Sequence, residues 1–540
     1  MTMSNASDIT SKLWEMANKL RGTMDASEYK NYILPFMFYR YLSENQDEYL
    51  IENGLEDFYT VTDKEEQDDY LEDISKGIGY AIESAYTWQA LVSKIENHQI
   101  KASDFSDMFD AFNTNAKRNA VAQADFANVF SDVNLGDTRL GSSTNERAKA
   151  LNDIVLMIND FEFKDSSGRD ILGDVYEYLI GQFAANAGKK GGEFYTPHEV
   201  SQILAKIVTL SSVSSDKQFR VYDPTMGSGS LLLTVQKELP HGHEAGSVEF
   251  YGQELNTTTY NLARMNLMMH HVNYLNMNLK RGDTLESDWP FEEKDGTQMP
   301  LQFDAVVANP PYSQNWDIKG IDRDKDVRFK GYGVAPASKA DYAFVLHGLY
   351  HLDAKGTMAI VLPHGVLFRG ASEGKIRKNI IDNNLLDAVI GLPSNLFYGT
   401  SIPTCVLVFK GREARVNRDV LFIDASNEFE KGKNQNKLSE GNINKIIETY
   451  RHRENIEKYA HVATIEEIKE NDYNLNIPRY VDTFEEEEMI SLTDVAQQLT
   501  DVRAEIDRSS KALFEMLGEL NGANDEISAE LSKFISLLSK

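Results

Sequence analysis

The segment Phe303-Asp304-Ala305-Val306-Val307-Ala308-Asn309-Pro310-Pro311-Tyr312 falls into two parts of opposite character. Its first six residues are apolar apart from Asp304 and read as a strand buried on both faces, the habit of parallel sheets. The last four are then delivered to the carboxyl edge of that sheet, where open α/β folds place their ligands. Two consecutive prolines remove two backbone N–H donors and fix φ. The Asn309 amide and the neighbouring carbonyls therefore sit on a stiff turn with their acceptors outward.

Such a turn suits an amino group attached to a flat ring. The exocyclic amine of a purine is a poor nucleophile because its lone pair is delocalised into the ring. Two acceptors, the Asn309 side-chain oxygen and the Pro310 carbonyl, can hold both N–H bonds and let charge develop on nitrogen as it attacks an electrophilic methyl. Pro311 stiffens the turn, and Tyr312 can stack on the base and keep its plane in line with that methyl. The bland alternative is a turn that only ends a strand.

Upstream, the chain repeats a strand-turn-helix order. Phe219-Arg220-Val221-Tyr222 reads as a strand, followed by Asp223-Pro224-Thr225-Met226-Gly227-Ser228-Gly229-Ser230 and a helix from Leu231. This resembles a Rossmann-like first crossover, in which glycines let the backbone approach a ligand at a helix N-terminus. It lacks both the Gly-x-Gly-x-x-Gly fingerprint and a Walker lysine, which weakens any ATP or NAD reading. The next strand, Val248 onward, ends in Gln253-Glu254, where an acid meets ribose hydroxyls in this architecture. A third unit ends in Arg281-Gly282-Asp283, whose carboxylate can accept from an adenine amino group. Either acid alone is ordinary strand-end polarity; their regular order is the signal. Downstream, a helix from Asp341 and strands at 357–362, 386–390 and 402–409 continue the sheet. Pro393 to Thr400 between the last two carries Phe397 and Tyr398, an aromatic pair that either packs or flanks a base. The loop 313–340, with Lys319, Arg323, Lys325, Arg328 and Lys330, is long enough to be functional and reads as a substrate-side loop.

Ahead of this sheet, residues 1–165 read as helical. Leu13, Met16, Ala17 and Leu20 recur at helical spacing, as do Tyr29, Tyr32, Ile33, Phe36 and Leu42, with Pro35 expected to bend the second helix. The acidic run 63–73 reads as a solvated face. A bridging helix at 168–184, with Leu172, Val175, Leu179 and Phe183 on one face, leads through a glycine- and lysine-rich loop into Glu193-Phe194-Tyr195-Thr196-Pro197-His198. Thr196 is placed to cap a helix beginning at Pro197. At the far end, Leu492, Val495, Leu499, Val502, Ile506, Ser509, Leu513, Met516 and Leu520 alternate spacings of three and four over about four heptads. A seam this regular calls for a partner helix, in this chain or in another protein.

Composition narrows the class. At 540 residues the chain exceeds a single core, and 41% hydrophobic residues mark it as folded. One cysteine, Cys405, excludes an intramolecular disulfide and a cysteine-rich zinc site; no metal site is expected. The polar start lacks a signal pattern and no stretch is long enough to span a bilayer, so a cytoplasmic location is expected. The formal charge is −29, with 55 basic against 84 acidic residues. A chain that binds DNA alone usually clusters Lys and Arg, so another subunit is expected to supply much of the positive surface.

Taken together, Glu193-Phe194-Tyr195-Thr196-Pro197, Asp223-Pro224 with Gly227-Ser228-Gly229-Ser230, Glu254, Asp283 and Asn309-Pro310-Pro311-Tyr312 resemble the ordered motifs of gamma-class amino-group DNA methyltransferases. With Leu13-Trp14 through Arg21-Gly22, Phe38 to Asn45 and the helical tail, the whole chain resembles the modification (methylation) subunit of type I restriction-modification enzymes. The resemblance implies an α/β, Rossmann-like methyltransferase sheet with an N-terminal all-helical domain (1–165), a catalytic domain (166–480) and a C-terminal helical interaction tail (481–540). It implies S-adenosylmethionine as methyl donor and adenine N6 in duplex DNA as acceptor. Glu193, Phe194, Tyr195, Thr196, Pro197, His198, Gly227, Ser228, Gly229, Ser230 and Glu254 would hold the cofactor, with Asp223 and Asp283 as further contacts; Asn309 to Tyr312 would carry catalysis. It also implies a specificity subunit that reads the target and engages the tail, two methylation subunits to each specificity subunit, and a restriction subunit in the full complex. The rival readings are a self-sufficient adenine methyltransferase, a protein-glutamine methyltransferase and a scaffold without catalysis.

Overall fold

The computed structural model describes residue 14 and residues 26–101, 103–163, 171–186, 196–210, 217–242, 244, 246–318, 326–398, 400–433, 435–483, 491–521 and 524–538. The expected first helix, with Leu13, Met16, Ala17 and Leu20, lies outside them. The chain divides into two compact units, Met1–Asp482 and Thr483–Lys540.

In the first unit the strands are β1 (Phe219–Asp223), β2 (Val248–Glu254), β3 (Met277–Arg281), β4 (Phe291–Lys294), β5 (Thr297–Pro300), β6 (Phe303–Ala308), β7 (Leu352–Pro363), β8 (Leu386–Gly391), β9 (Thr404–Lys410), β10 (Val420–Asp424), β11 (Glu430–Lys431), β12 (Asn436–Lys437) and β13 (Ala460–Ala463). Nine of them form one sheet in the order β13-β10-β8-β9-β7-β6-β1-β2-β3, and β4-β5 and β11-β12 are separate hairpins. Strand β9 runs antiparallel to both β7 and β8, and β13 antiparallel to β10. The chain runs outward from β1 through β2 to β3, then returns to lay β6 on the other side of β1. The carboxyl ends of β1 and β6 thus flank a topological switch point, the crevice in which open sheets bind ligands.

The period-two alternation of strand side chains assigns the two faces. Val221, Ala305 and Val307 join a hydrophobic cluster shared with the N-terminal helices, whereas Tyr222, Val306 and Ala308 join a second cluster with the helices Asp341–Tyr350 and Ala371–Asp382. Cys405 lies fully buried in β9, as its apolar neighbours predict.

The N-terminal helices fold as their periodicity predicts. Helix Ala26–Asn53 contains Pro35 within its length and buries Tyr29, Tyr32, Ile33, Phe36 and Leu42. The acidic run lies on the exposed face of the helix Lys64–Ile78, which is capped by the Asp63 side chain and buries Leu71 and Ile74. The bridging helix spans Leu172–Asn186 with Leu172, Val175, Leu179 and Phe183 buried.

Arg264, on the helix Thr257–Met269 that follows β2, ties these helices to the sheet. Its buried guanidinium donates to the carbonyls of Ala124, Asp125 and Ala127 at 3.0–3.2 Å and to the Asn261 side chain at 2.6 Å. Asn261 in turn donates to Asp132 at 2.7 Å.

In the second unit, helix Leu492–Gly518 carries the seam from Leu492 to Met516, with Leu520 just past its end, and a second helix spans Asp525–Leu538; Leu492, Val495, Leu499, Val502, Ile506, Leu513, Met516 and Leu520 are all exposed.

Arg264→Met keeps the apolar stem and removes the donor from the carbonyls of Ala124, Asp125 and Ala127, of which the Asp125 bond is fully buried. The expected cost is about 2–4 kcal/mol, read as a lowered denaturant midpoint; an unchanged midpoint would show that the latch carries no stability.

Candidate active site

The first turn after β1 is built around a buried acid. The Asp223 carboxylate accepts from the Thr225 N–H at 2.9 Å and faces away from solvent. Burial pushes it up to about 7, the Glu254 carboxylate pushes the same way, and the hydrogen bonds from Thr225 pull against both. Gly227 and Gly229 follow with φ of +54° and +76°, the left-handed region that glycine enters without strain. They serve different ends. A Cβ at Gly229 would collide with Leu267, so that glycine is needed for packing, whereas a Cβ at Gly227 would meet nothing within 4 Å. The turn therefore presents open space where its backbone is most accessible.

Short bonds lace the three successive strand ends together. Met226 N–H donates to the Gln253 carbonyl at 3.0 Å, Gly282 N–H to the Glu254 carbonyl at 3.0 Å, and the Thr284 hydroxyl to the Pro224 carbonyl at 2.5 Å. Glu254 accepts from the N–H groups of Gly227 at 3.2 Å and Asn256 at 2.8 Å. Asp283 accepts from Leu285 N–H at 2.8 Å. The Ser228 and Ser230 hydroxyls are 3.1 Å apart. Open space beside a glycine turn bonded to the Glu254 carboxylate and without a lysine suits a ligand offering hydroxyl or amino groups more than a polyphosphate.

Across the switch point, Asn309 leaves β6 with its amide held at both ends. Its nitrogen donates to the Thr196 hydroxyl at 2.9 Å, and its oxygen accepts from the Tyr312 hydroxyl at 2.8 Å. An amide oxygen has two lone pairs, so one acceptor position remains after the Tyr312 bond. Burial raises the Tyr312 phenol well above its usual value and keeps it an O–H donor. The Tyr312 ring meets the buried Phe397 ring edge-on at 6.0 Å, so Phe397 packs under the motif. Ser313 N–H donates to Asp341 at 2.7 Å, and Asp341 is itself gripped by Arg369.

Thr196 departs from its expected role. The helix runs His198–Thr209 with Pro197 at its N-cap and no side-chain cap, because the Thr196 hydroxyl is engaged with Asn309 instead. Pro197 is buried and His198 exposed. Glu193, Phe194 and Tyr195 lie outside the described residues. Of the loop cations, Lys319, Arg323 and Lys325 also lie outside them. Arg328 is not a substrate-side residue: it is buried, chelated by Asp326, and donates to the carbonyls of Thr284 and Leu285 at 2.9 Å.

Arg328 belongs to a buried network that the sequence patterns do not reveal. Its guanidinium donates to His347 Nδ1 at 3.2 Å, so His347 Nε2 carries the hydrogen and donates to the Tyr222 hydroxyl at 2.8 Å. Burial, and then the neighbouring His351 and Arg328, hold His347 well below the usual histidine range. His351 reaches the Leu301 carbonyl at 3.0 Å and Asp288 at 3.1 Å. Asp288, His347 and His351 are close enough together to suggest metal ligation. All four ring nitrogens already have partners, however, and a guanidinium faces one of them, so the cluster is a hydrogen-bonded support for the strand ends.

A glycine turn bonded to the Glu254 carboxylate, set across the switch point from an Asn-Pro-Pro-Tyr turn, is the arrangement expected of an S-adenosylmethionine-dependent methyltransferase of the amino-group type. The family model described as N-6 DNA Methylase matches residues 167–489, and that described as HsdM N-terminal domain matches residues 9–158. The chain is 38% identical to the methylase subunit of the type I restriction enzyme MpnII of Mycoplasma pneumoniae, over 92% of this chain and 95% of that one. It is 28% identical to the MjaIX methylase subunit of Methanocaldococcus jannaschii, over 95% and 92%. The crystal structure of the type I restriction-modification system methyltransferase subunit from Streptococcus thermophilus superposes with a TM-score of 0.80 at 43% identity, covering 89% of this chain and all of that one. The chain therefore belongs to the methylase subunits of type I restriction enzymes. It is an adenine-specific DNA methyltransferase that uses S-adenosylmethionine.

The raised Asp223 carboxyl makes cofactor-free stability depend on pH. In the unfolded chain this group ionises near ~3.9, whereas in the native protein it keeps its proton to about 7. Its contribution is complete below the unfolded value and is lost as pH rises toward 7, at no more than about 1.4 kcal/mol per pH unit. Denaturant midpoints across that window should fall with pH in the wild type and fall less steeply in Asp223→Asn. Equal slopes would refute the assignment.

Proposed function

We propose that Asn309 and the Pro310 carbonyl hold the two N–H bonds of adenine N6, that Pro311 keeps the turn rigid, and that Tyr312 offers its ring face to the base. The observation that carries this reading is the Asn309 amide held between Thr196 and Tyr312: its nitrogen is committed to a hydroxyl, so its oxygen is oriented as an acceptor. The amine gains nucleophilic character as these acceptors draw on its hydrogens, and the buried surroundings strengthen them. S-adenosylmethionine, when bound, supplies an electrophilic methyl on sulfonium. Glu254 receives the ribose hydroxyls, Asp283 the adenine amine of the cofactor, and Asp223 with Gly227 to Ser230 its amino-acid end. Glu193 to His198 are assigned to holding the cofactor as well, with Thr196 acting chiefly as a positioning residue for Asn309. The sole cysteine is buried in β9 and takes no part, so transfer is a direct displacement.

We further propose that residues 1–165 form a helical lobe, residues 166–480 the catalytic domain and residues 481–540 a subunit-binding tail. The chain acts in the cytoplasm; no helix among the described residues is long and apolar enough to cross a membrane. It methylates duplex DNA at a site read by a specificity subunit, two methylation subunits to one specificity subunit, and a restriction subunit joins the complete assembly. The relatives are named as subunits of type I restriction enzymes. The charge of −29 and the exposed heptad seam support the same reading.

Methyl transfer from labelled cofactor to DNA should appear on adenine only when the chain is co-expressed with its specificity subunit. Sequence-specific label from the chain alone would instead make it self-sufficient.

Within the assembly, Asn309→Ala should nearly abolish transfer with cofactor affinity retained. Thr196→Val removes one neutral hydrogen bond, and its kcat should fall by roughly tenfold at unchanged cofactor Kd. Weakened cofactor binding with kcat preserved would make Thr196 a cofactor contact instead.

A further inference from the structure

Among the described residues, several cations of the catalytic unit are already engaged. Arg328 is internal, Arg369 is held by Asp341 and Glu373, Lys378 by Asp382 and Lys445 by Glu428. The hairpin β11-β12 is an exception. Within the run Glu430-Lys431-Gly432-Lys433-Asn434-Gln435-Asn436-Lys437, all three lysines are exposed and no ion pair among the described residues engages them.

Topology brings this hairpin to the reaction edge. Strand β10 is parallel to β8 and, through the reversed β9, runs in the same sense as β6. Its carboxyl end therefore lies on the edge that carries Asn309, and the hairpin follows it. Its foot is fixed there: Asn436 donates from its backbone to the Asn395 carbonyl at 3.0 Å and from its side chain to the Ser394 carbonyl at 2.8 Å. Three residues from Ser394 is Phe397, which packs on Tyr312. Beyond that foot, Gly432 N–H donates to the Gln435 carbonyl at 3.0 Å. A Cβ at Gly432 would strike that same carbonyl, so the tight turn requires glycine.

We propose that this lysine ribbon is a DNA-backbone contact of the methylase subunit itself, gripping phosphates beside the adenine presented to Asn309. This goes beyond the expectation that another subunit supplies the positive surface. Lysine is suited to it, since a point charge on a flexible stem binds phosphate without reading sequence. A short pinned ribbon also holds its charges at a fixed offset from Tyr312. The inference rests on duplex DNA being the substrate, and an equilibrium binding measurement keeps it separable from the catalytic assignments.

The test is binding of a fluorescein-labelled duplex by the chain assembled with its specificity subunit, as a function of salt, for assemblies carrying the wild-type chain or Lys431→Gln/Lys433→Gln/Lys437→Gln. Each phosphate contact contributes about 0.9 to the slope of log K against log salt, so the triple variant should lose roughly 2–3 from that slope. Asn309→Ala should keep the wild-type slope while losing methyl transfer, which separates the ribbon from the catalytic turn. Equal slopes in the wild-type and triple-variant assemblies would overturn the proposal.

Discussion

The return of the chain to place β6 beside β1 is the constraint on which the site depends. That crossing sets the glycine turn of one strand against the Asn-Pro-Pro-Tyr turn of the other. Everything around it keeps the two strand ends rigid. Backbone bonds join the turns after β1, β2 and β3, the Tyr222-His347-Arg328 network braces them from beneath, and Asp341 holds the residue just beyond Tyr312. The site is preorganised by bonds that make no contact with substrate.

Much of this was legible in the sequence because it is written locally. An apolar run ending in two prolines, a turn of small residues after a strand and acids at successive strand ends each need only a few adjacent residues to be recognised. The roles of Thr196 and Arg328 were misread for one reason. A threonine before a proline has a local explanation as a cap, and a basic residue in a long loop has one as a substrate contact. Both explanations yielded to partners far along the chain, Asn309 for one and the carbonyls after Asp283 for the other. Strands β10 and β13 were not foreseen: Val420–Asp424 and Ala460–Ala463 are short, and their place in the sheet comes from pairing with distant strands.

The interior also shows how so acidic a chain uses its cations. Asp387 is nearly buried and burial opposes its ionisation, yet Lys410, Arg453 and Arg415 hold it below the usual carboxylate range. Arg264 and Arg328 bind backbone carbonyls at the two borders of the catalytic sheet, one toward the N-terminal helices and one toward the loop after Tyr312. Guanidinium groups suit this work because their fixed fork of donors satisfies several carbonyls at once. Charge here is structural material before it is surface.

Cys405 has a practical consequence. Buried in β9, with its thiol pushed above the usual range by its surroundings, it is shielded from alkylating reagents, and it is the only cysteine in the chain. A cysteine introduced at an exposed position, on the hairpin tip or along the heptad seam, would be the sole reactive thiol. The native sequence thus already provides the silent background that single-site fluorophore or spin-label spectroscopy requires.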